Sequence, residues 1–269
     1  MANFGGKRVI RATSGTEVVG VSGAQLAEDK SYWETQWREC PDEIRCYTAS
    51  HLADRLTLRG ATMLEIGCGD KNHEDRKLDG FFYGGDLAHN AVVSAKNAHP
   101  GAQFANFEAT NMPFRNGSMD LVVAYEVILH LGFNTFKGLR EMIRVARDGI
   151  AFTVLHEDSI PEHIASTHKP NKLHVVQFDE CKAVMREKGG LRLFRRPDFN
   201  DMNRDTGLLF FNEQNIRSTL KDMGMDQIQV FLLNTDEDRG IRTIEEGSDA
   251  RRDMMEVFAF KEGVNLTIG

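Results

Sequence analysis

The chain has 269 residues, 41% of them hydrophobic and 27% charged, with a formal net charge of −7. That composition suits a globular protein of one domain, or one domain plus an appendage. The acidic balance argues against non-specific nucleic-acid binding, which needs a basic surface, and no run of eighteen apolar residues offers a membrane span. Met1 to Gly23 carries Lys7 and Arg8 but no apolar block after them, so it does not read as a secretory signal. Residues 1–29 are expected to form a loose arm. Cys40, Cys46, Cys68 and Cys181 show no Cys-x-x-Cys spacing. Neither a metal site nor a disulfide framework is expected, and reduced thiols in the cytoplasm are the default.

After the arm, Trp33 and Trp37 lie four apart and share one helix face, beside Tyr32. Pro41 opens a second helix, with Ile44, Tyr47, His51, Leu52 and Leu56 at helical spacing and Gly60 as its stop. Thr62 to Ile66 reads as a strand running into Gly67-Cys68-Gly69. Glycines there let the backbone turn sharply and let a ligand approach it. A strand ending in a glycine turn is where open α/β sheets bind nucleotide-like cofactors.

Phe81 to Gly85 predicts a second strand ending at Asp86, and Ala88 to Ala98 a helix broken by Pro100-Gly101. Ala102 to Asn106 is a third strand. Leu121 to Tyr125 is a continuous apolar run that suits a buried parallel strand. Phe136, Leu139, Ile143 and Ala146 mark a helix, and Gly149 to Leu155 a fifth strand. Strand and helix thus alternate from Thr62 to Leu155, the pattern of a parallel sheet with helices on both faces.

The alternation stalls over residues 158–207, which hold His163, His168 and His174 and one expected helix, Glu180 to Lys188. This stretch reads as an insertion beside the sheet. Arg192, Arg195 and Arg196 within it read as a solvated face. Asn212 is a good N-cap for a helix carrying Ile216, Leu220 and Met223, closed by Gly224. Ile228, Val230 and Leu232 alternate as a strand, as do Met255, Val257 and Ala259. The charged connection of about twenty residues between them is long enough to suggest a functional or mobile loop.

Asp86 ends the second strand beside Gly67. An acid there can accept hydrogen bonds from both hydroxyls of a ribose, whether from a nicotinamide dinucleotide or from S-adenosylmethionine. Its plainer alternative is a helix N-cap, and the two roles can coexist. Phe107-Glu108-Ala109-Thr110 follows the third strand, where an acid can accept from an adenine amino group. Tyr125-Glu126 through His130-Leu131 follows the fourth.

Leu64-Glu65-Ile66-Gly67-Cys68-Gly69, Gly84-Gly85-Asp86-Leu87, Phe104 through Pro113-Phe114, and Asp120 through Leu131 stand in one order. In that order and spacing they resemble the motifs of the class I S-adenosylmethionine-dependent methyltransferases, a Rossmann-like family. The resemblance covers Thr62 to Leu155 and extends to the closing segment Asn212 to Phe260. It implies a three-layer α/β/α sandwich with a mostly parallel seven-stranded sheet and a C-terminal antiparallel strand pair. Residues 30–269 would form one methyltransferase domain with an N-terminal helical cap and the insertion at 158–207.

The resemblance also assigns roles. Gly67, Cys68 and Gly69 would lie against the methionine moiety and Glu65 would support its amino group. Asp86 would hold the ribose hydroxyls, and Leu87 would pack on the adenine. Phe107, Glu108 and Ala109 would face the adenine, and the Tyr125 carbonyl would sit near the ammonium. Departures exist: Lys71 and Asn72 stand where another glycine is frequent, Phe107 replaces a frequent glycine, and Glu108 a frequent Asp. No Asn/Asp-Pro-Pro-Tyr/Phe motif follows the fourth strand, so methylation of exocyclic base amines loses weight.

The expected function is transfer of a methyl group from S-adenosylmethionine to oxygen or nitrogen of a small metabolite, leaving S-adenosylhomocysteine. Transfer needs the acceptor lone pair in line with the methyl, about 3 Å away, and a hydroxyl acceptor gains from a base. His130 and His156, each after a central strand, are the candidate bases. The expected partners are a small-molecule acceptor and, in some states, a second copy of the chain, with neither membrane nor nucleic acid. A protein or RNA methyltransferase, a non-catalytic regulatory subunit of this fold, and a nicotinamide oxidoreductase remain as alternatives. The N-terminal helices and the insertion are expected to cover the acceptor pocket, since both flank the strand ends.

Overall fold

A computed structural model describes residues 30–31, 33–35, 61–69, 81–161, 173–177, 179–186, 208–236, 240–243 and 252–264. The expected arm, the helix beginning at Pro41, Lys71 to His73, His163, His168 and the Arg192–Arg196 cluster lie outside these residues. Among the described residues no helix is long and apolar enough to cross a membrane.

Among the described residues eleven strands form one sheet: β1 (Thr62–Ile66), β2 (Phe81–Asp86), β3 (Gln103–Asn106), β4 (Met119–Ala124), β5 (Ala146–His156), β6 (Leu173–Gln177), β7 (Lys182–Arg186), β8 (Leu208–Phe211), β9 (Gln227–Asp236), β10 (Gly240–Thr243) and β11 (Met254–Phe260). The main path runs β10-β9-β11-β5-β4-β1-β2-β3. Pairings among β1 to β5 are parallel, while β11 pairs antiparallel with both β5 and β9. Seven strands of this path are those expected from the sequence, closing pair included. The order reverses between β1 and β4, and ligands bind at such a switch point, outside the carboxyl ends of the strands.

Three helices of ten or eleven residues lie in the described chain: α1 (His89–Ala98), α2 (Thr135–Val145) and α3 (Glu213–Asp222). Leu139 and Met142 of α2 and Ile216 and Leu220 of α3 join Leu64, Val122, Ile150 and Phe152 in the largest core cluster. On the opposite face Met63, Leu121, Val123, Tyr125 and Phe258 form a second cluster. Val92 and Ala95 of α1 bury against Cys68 and Phe104 in a smaller one. Central strands buried on both faces explain the continuous apolar runs of β4 and β5. The sequence also sets the ends of α3. Asn212 accepts from the Asn215 N–H at 2.8 Å. Gly224, at φ +87°, lets Met225 N–H reach Leu220 O and its own N–H reach Lys221 O, a Schellman closure.

Two expectations need correction. The helix expected over Glu180 to Lys188 is instead strand β7, paired antiparallel with β6 and β8. Lys182, Ala183 and Met185 are good helix formers, but propensity is a weak preference and pairing with two strand neighbours overrides it. His174 of the same stretch lies in β6, level with Met185 of β7. The connection before β11 is also more ordered than a loop: β9 runs on to Asp236 and pairs with β10.

The insertion forks the sheet. Leu155 pairs with Met254 of β11 on one side and with Phe210 of β8 on the other. Strand β8 therefore occupies the edge of β5 that β4 vacates after Ala124, and β7 and β6 extend outward from it. Leu208 and Phe210 pack with Leu129, Leu155 and Ile160, and Phe211 meets Phe136 edge to face, with ring centroids 6.1 Å apart. The fork thus walls the space beyond the end of β4.

On the far side, α2 clamps the segment after β3. The Arg144 guanidinium donates to Met112 O, Phe114 O and Asn116 Oδ1 at 3.0, 2.7 and 2.9 Å. It also forms a two-point pair with Glu141 at 2.7 and 2.8 Å, and Glu141 accepts from Met112 N–H at 3.0 Å. Its hydrogen bond to Arg144 holds the Glu141 carboxyl below its ordinary pKa, against the opposing pull of burial. Arg144→Met keeps the aliphatic stem but leaves two carbonyls and a carboxylate without this donor. It should lower stability by about 1–3 kcal/mol, read as a reduced urea midpoint with an unchanged slope.

Candidate functional site

The strand register lines up one rim. Ile66 is level with Gly85, Asp86 with Asn106, and Glu65 with Val123. Gly67, Asp86, Phe107 and Tyr125-Glu126 therefore emerge together at the carboxyl end of the sheet, on either side of the switch point.

The glycine turn is built from its own backbone. Gly67 and Gly69 sit at φ +66° and +56°, the left-handed region that costs a side-chain-bearing residue about 1–2 kcal/mol. A Cβ on Gly67 would lie 2.1 Å from Val127 Cγ2, so the chain leaving β4 folds directly over the turn. Cys68 N–H donates to Gly85 O at 3.1 Å, and Gly69 N–H donates to Asp86 Oδ2 at 3.0 Å. The Cys68 side chain is fully buried beneath the turn with Val92, Ala95 and Phe104. Toward the rim Cys68 thus offers main chain, and its thiol serves packing.

Asp86 joins two elements. Its Oδ1 accepts from Ala88 N–H at 2.8 Å while Oδ2 holds Gly69. The N-cap of α1 is Ala88 rather than Asp86, and the Asp86 carboxylate fixes the start of the helix through the Ala88 N–H. Asn106 Nδ2 donates to Asp86 O and Leu87 O at 2.7 and 2.8 Å, which fixes the backbone carrying Leu87.

Beyond β3, the Phe107 ring lies over Gly85, where a Cβ would come within 1.9 Å of it. It also meets Phe114 edge to face, with centroids 5.4 Å apart. Glu108 accepts from the Thr110 hydroxyl, and its carbonyl accepts from Asn111 N–H at 3.0 Å. Ala109 is buried beside them. The large Phe107 that departs from the family pattern is thus accommodated by the missing side chain at Gly85.

At the end of β4 the Tyr125 hydroxyl donates to buried Glu256 at 3.0 Å, on the face of the sheet opposite α2. Tyr125 therefore presents backbone to the rim. Glu65 is buried within β1. Glu126 takes φ +53°, the one non-glycine at positive φ among the described residues, and donates its N–H to Thr153 Oγ1 at 2.7 Å. Such held strain concentrates at functional sites.

The two candidate bases occupy different surroundings. His130 is half-buried on the turn after β4, with the Trp33 ring edge-on to it at a centroid distance of 4.9 Å. His156 is buried. Its Nδ1 accepts from Asp158 N–H at 3.1 Å, so its ring proton sits on Nε2, which lies 3.4 Å from Glu213 Oε2. Both ring nitrogens of His156 are therefore engaged, Nδ1 with the turn after β5 and Nε2 with α3. Glu34, whose carboxylate reaches His89 N–H at 2.7 Å, carries no local signal in the sequence beyond its neighbour Trp33. Among the described residues no group of His, Cys, Asp and Glu could hold a metal ion. Burial and the nearby Glu180 push the Cys181 thiol up to about 12, which leaves it unreactive.

Burial pushes Glu213 up, but its own backbone N–H, the His156 ring and Arg252 together hold its carboxyl below the ordinary value. A lowered folded-state pKa contributes stability above the unfolded-state value, and that contribution is lost as pH falls through the lowered one. Glu213→Gln should therefore melt below wild type at neutral pH. The gap should close as pH drops below about 4, as thermal melts across a pH series would show.

Residues 64–153 match the family described as "Methyltransferase domain". Over 148 residues the chain is 28% identical to ajmaline N-methyltransferase of Rauvolfia serpentina, covering 51% of this chain and 49% of that protein. It thus spans about half the length of that curated relative. Among solved structures, a chain of the complex between the Haloferax volcanii Trm112 methyltransferase activator and a methyltransferase superposes with TM-score 0.54 at 15% identity, covering 88% of this chain and 98% of that one. A S-adenosylmethionine-dependent methyltransferase of Thermotoga maritima gives TM-score 0.54 at 12% identity, covering 88% and 99%. These two likenesses concern the fold. The segment from β1 to β5, with its glycine turn and Asp86 rim, thus matches a methyltransferase domain, and the fold is that of the class I S-adenosylmethionine-dependent methyltransferases.

Proposed function

We propose that the chain, as one domain over residues 30–269, transfers a methyl group from S-adenosylmethionine to a nitrogen or oxygen of a small-molecule acceptor. The observation that carries this reading is the rim in which Asp86 ties the Gly67–Gly69 turn to the start of α1. When bound, S-adenosylmethionine supplies a sulfonium methyl open to displacement by a lone pair. Asp86 would accept from the ribose hydroxyls. The main chain of Gly67 to Gly69 and the Tyr125 carbonyl would bracket the amino-acid end, with Glu65 supporting its amino group. Leu87, Phe107, Glu108 and Ala109 would line the adenine side.

The acceptor side lies beyond β4, between Glu126, His130 and the wall built by β8. Positioning and the matching of changing charge supply much of the rate in such a site. His130 suits a base better than His156, because Asp158 and Glu213 already occupy both nitrogens of the latter. A nitrogen acceptor is supported by the likeness to ajmaline N-methyltransferase.

The test uses isotope-labelled S-adenosylmethionine and cell extract fractionated by size. Label should enter the small-molecule fraction. Label recovered in protein or RNA would replace the acceptor class, and calorimetry showing no binding of S-adenosylmethionine or S-adenosylhomocysteine would overturn the reading. Gly67→Ala forces a side chain into the left-handed region against Val127. It should cost at least about 1–2 kcal/mol of stability and abolish cofactor binding by calorimetry.

A further inference from the structure

Glu34 belongs to none of the motifs of the donor site, yet its carboxylate sits on that site's rim. Oε1 accepts from His89 N–H at 2.7 Å and Oε2 from Asn90 N–H at 3.2 Å. The preceding N–H, of Ala88, is held by Asp86 Oδ1 at 2.8 Å. Two carboxylates remote in sequence thus share three successive N–H groups where α1 begins. Ala88, the N-cap, has no polar side chain for the task. The residue next to Glu34, Trp33, sets its ring edge-on to His130, with the ring planes 74° apart. One short segment therefore touches both banks of the cleft, the turn after β2 and the turn after β4.

We infer that Glu34 is a positioning residue that makes seating of the N-terminal segment beside the acceptor depend on occupancy of the ribose side. The inference rests on the methyltransferase reading above. A carboxylate at a helix N-terminus gains from the helix dipole and from charge-assisted hydrogen bonds. Both gains require the first turn of α1 to be held in place. Asp86 holds that turn through Ala88, and ribose hydroxyls donating to Asp86 would stiffen the same turn. Linkage is reciprocal: whatever seats Glu34 more firmly strengthens the ribose site by the same factor. Trp33 moves with Glu34, so seating the segment also completes the wall beside His130. The donor then binds first and the acceptor wall forms second.

The experiment uses the full chain with Trp37→Phe, which leaves Trp33 as the one tryptophan of the sequence. Titration with S-adenosylhomocysteine should shift the Trp33 emission, and Glu34→Ala should abolish the shift. By calorimetry Glu34→Ala should weaken S-adenosylhomocysteine about 5-fold or more. Glu34→Gln, which keeps one acceptor oxygen, should recover part of both responses. Hydrogen exchange on the unsubstituted chain gives a second measurement should the variants fail to fold. Adding S-adenosylhomocysteine should slow exchange in the peptide covering 30–35 and at the amides of His89 and Asn90. Unchanged affinity and an unchanged emission shift in Glu34→Ala, or unchanged exchange at 30–35 in the parent, would overturn the role of Glu34. Absence of binding by the parent chain would instead overturn the methyltransferase reading beneath it.

Discussion

The carboxylate of Asp86 is the point on which the rim at the carboxyl end of the sheet depends. It holds Gly69 N–H with one oxygen and Ala88 N–H with the other. The turn after β1 and the helix after β2 are thereby fixed to each other across a parallel strand pair that has no covalent link at that level. The glycines make this geometry available, because left-handed backbone at Gly67 and Gly69 turns the chain so that Cys68 N–H meets Gly85 O and Gly69 N–H meets Asp86. Removing side chains from the turn and adding one acidic side chain beside it are two halves of one arrangement.

Around that point the packing is reciprocal. Val127 fills the space that Gly67 leaves open, and Phe107 fills the space above Gly85. Cys68 tucks under the turn among Val92, Ala95 and Phe104. The first two contacts join neighbouring strand ends and the third ties the turn to α1 and β3, so the rim behaves as one packed surface. Protein interiors are dense enough that such contacts cannot be relaxed one at a time. The Arg144 and Glu141 clamp does by hydrogen bonding what these contacts do by packing, anchoring the segment from Met112 to Asn116 to α2.

Much of this was legible in the sequence, and the reasons are local. Gly67 and Gly69 announce a turn, Asp86 announces an acceptor, and alternating strand and helix from Thr62 to Leu155 announces a parallel sheet. Asn212 and Gly224 mark both ends of α3. What escaped was non-local. Lys182 to Arg186 carries mixed propensity, and only its two strand neighbours make it β7. Leu208 to Phe211 is an apolar run of four that could have been read as a strand, yet its pairing with β5 depends on where β4 stops. His156 looked like a base because it follows a central strand. Its partners, Asp158 N–H and Glu213, arrive from a turn and a helix that periodicity does not connect. Glu34 is the extreme case, a surface acid whose role exists only because the start of α1 lies opposite it.

The fork at the end of β5 carries a consequence for how such a molecule can diversify. Strand β8 joins the sheet through Leu155 and His156 alone, beyond the stretch where β5 aligns with β4. The register that sets the donor rim is therefore settled before the fork begins. Length and composition of the β6-β7-β8 branch can drift without shifting Gly67 against Asp86. The architecture separates a half whose geometry is locked by the register of β1 to β5 from a branch that can vary beside it.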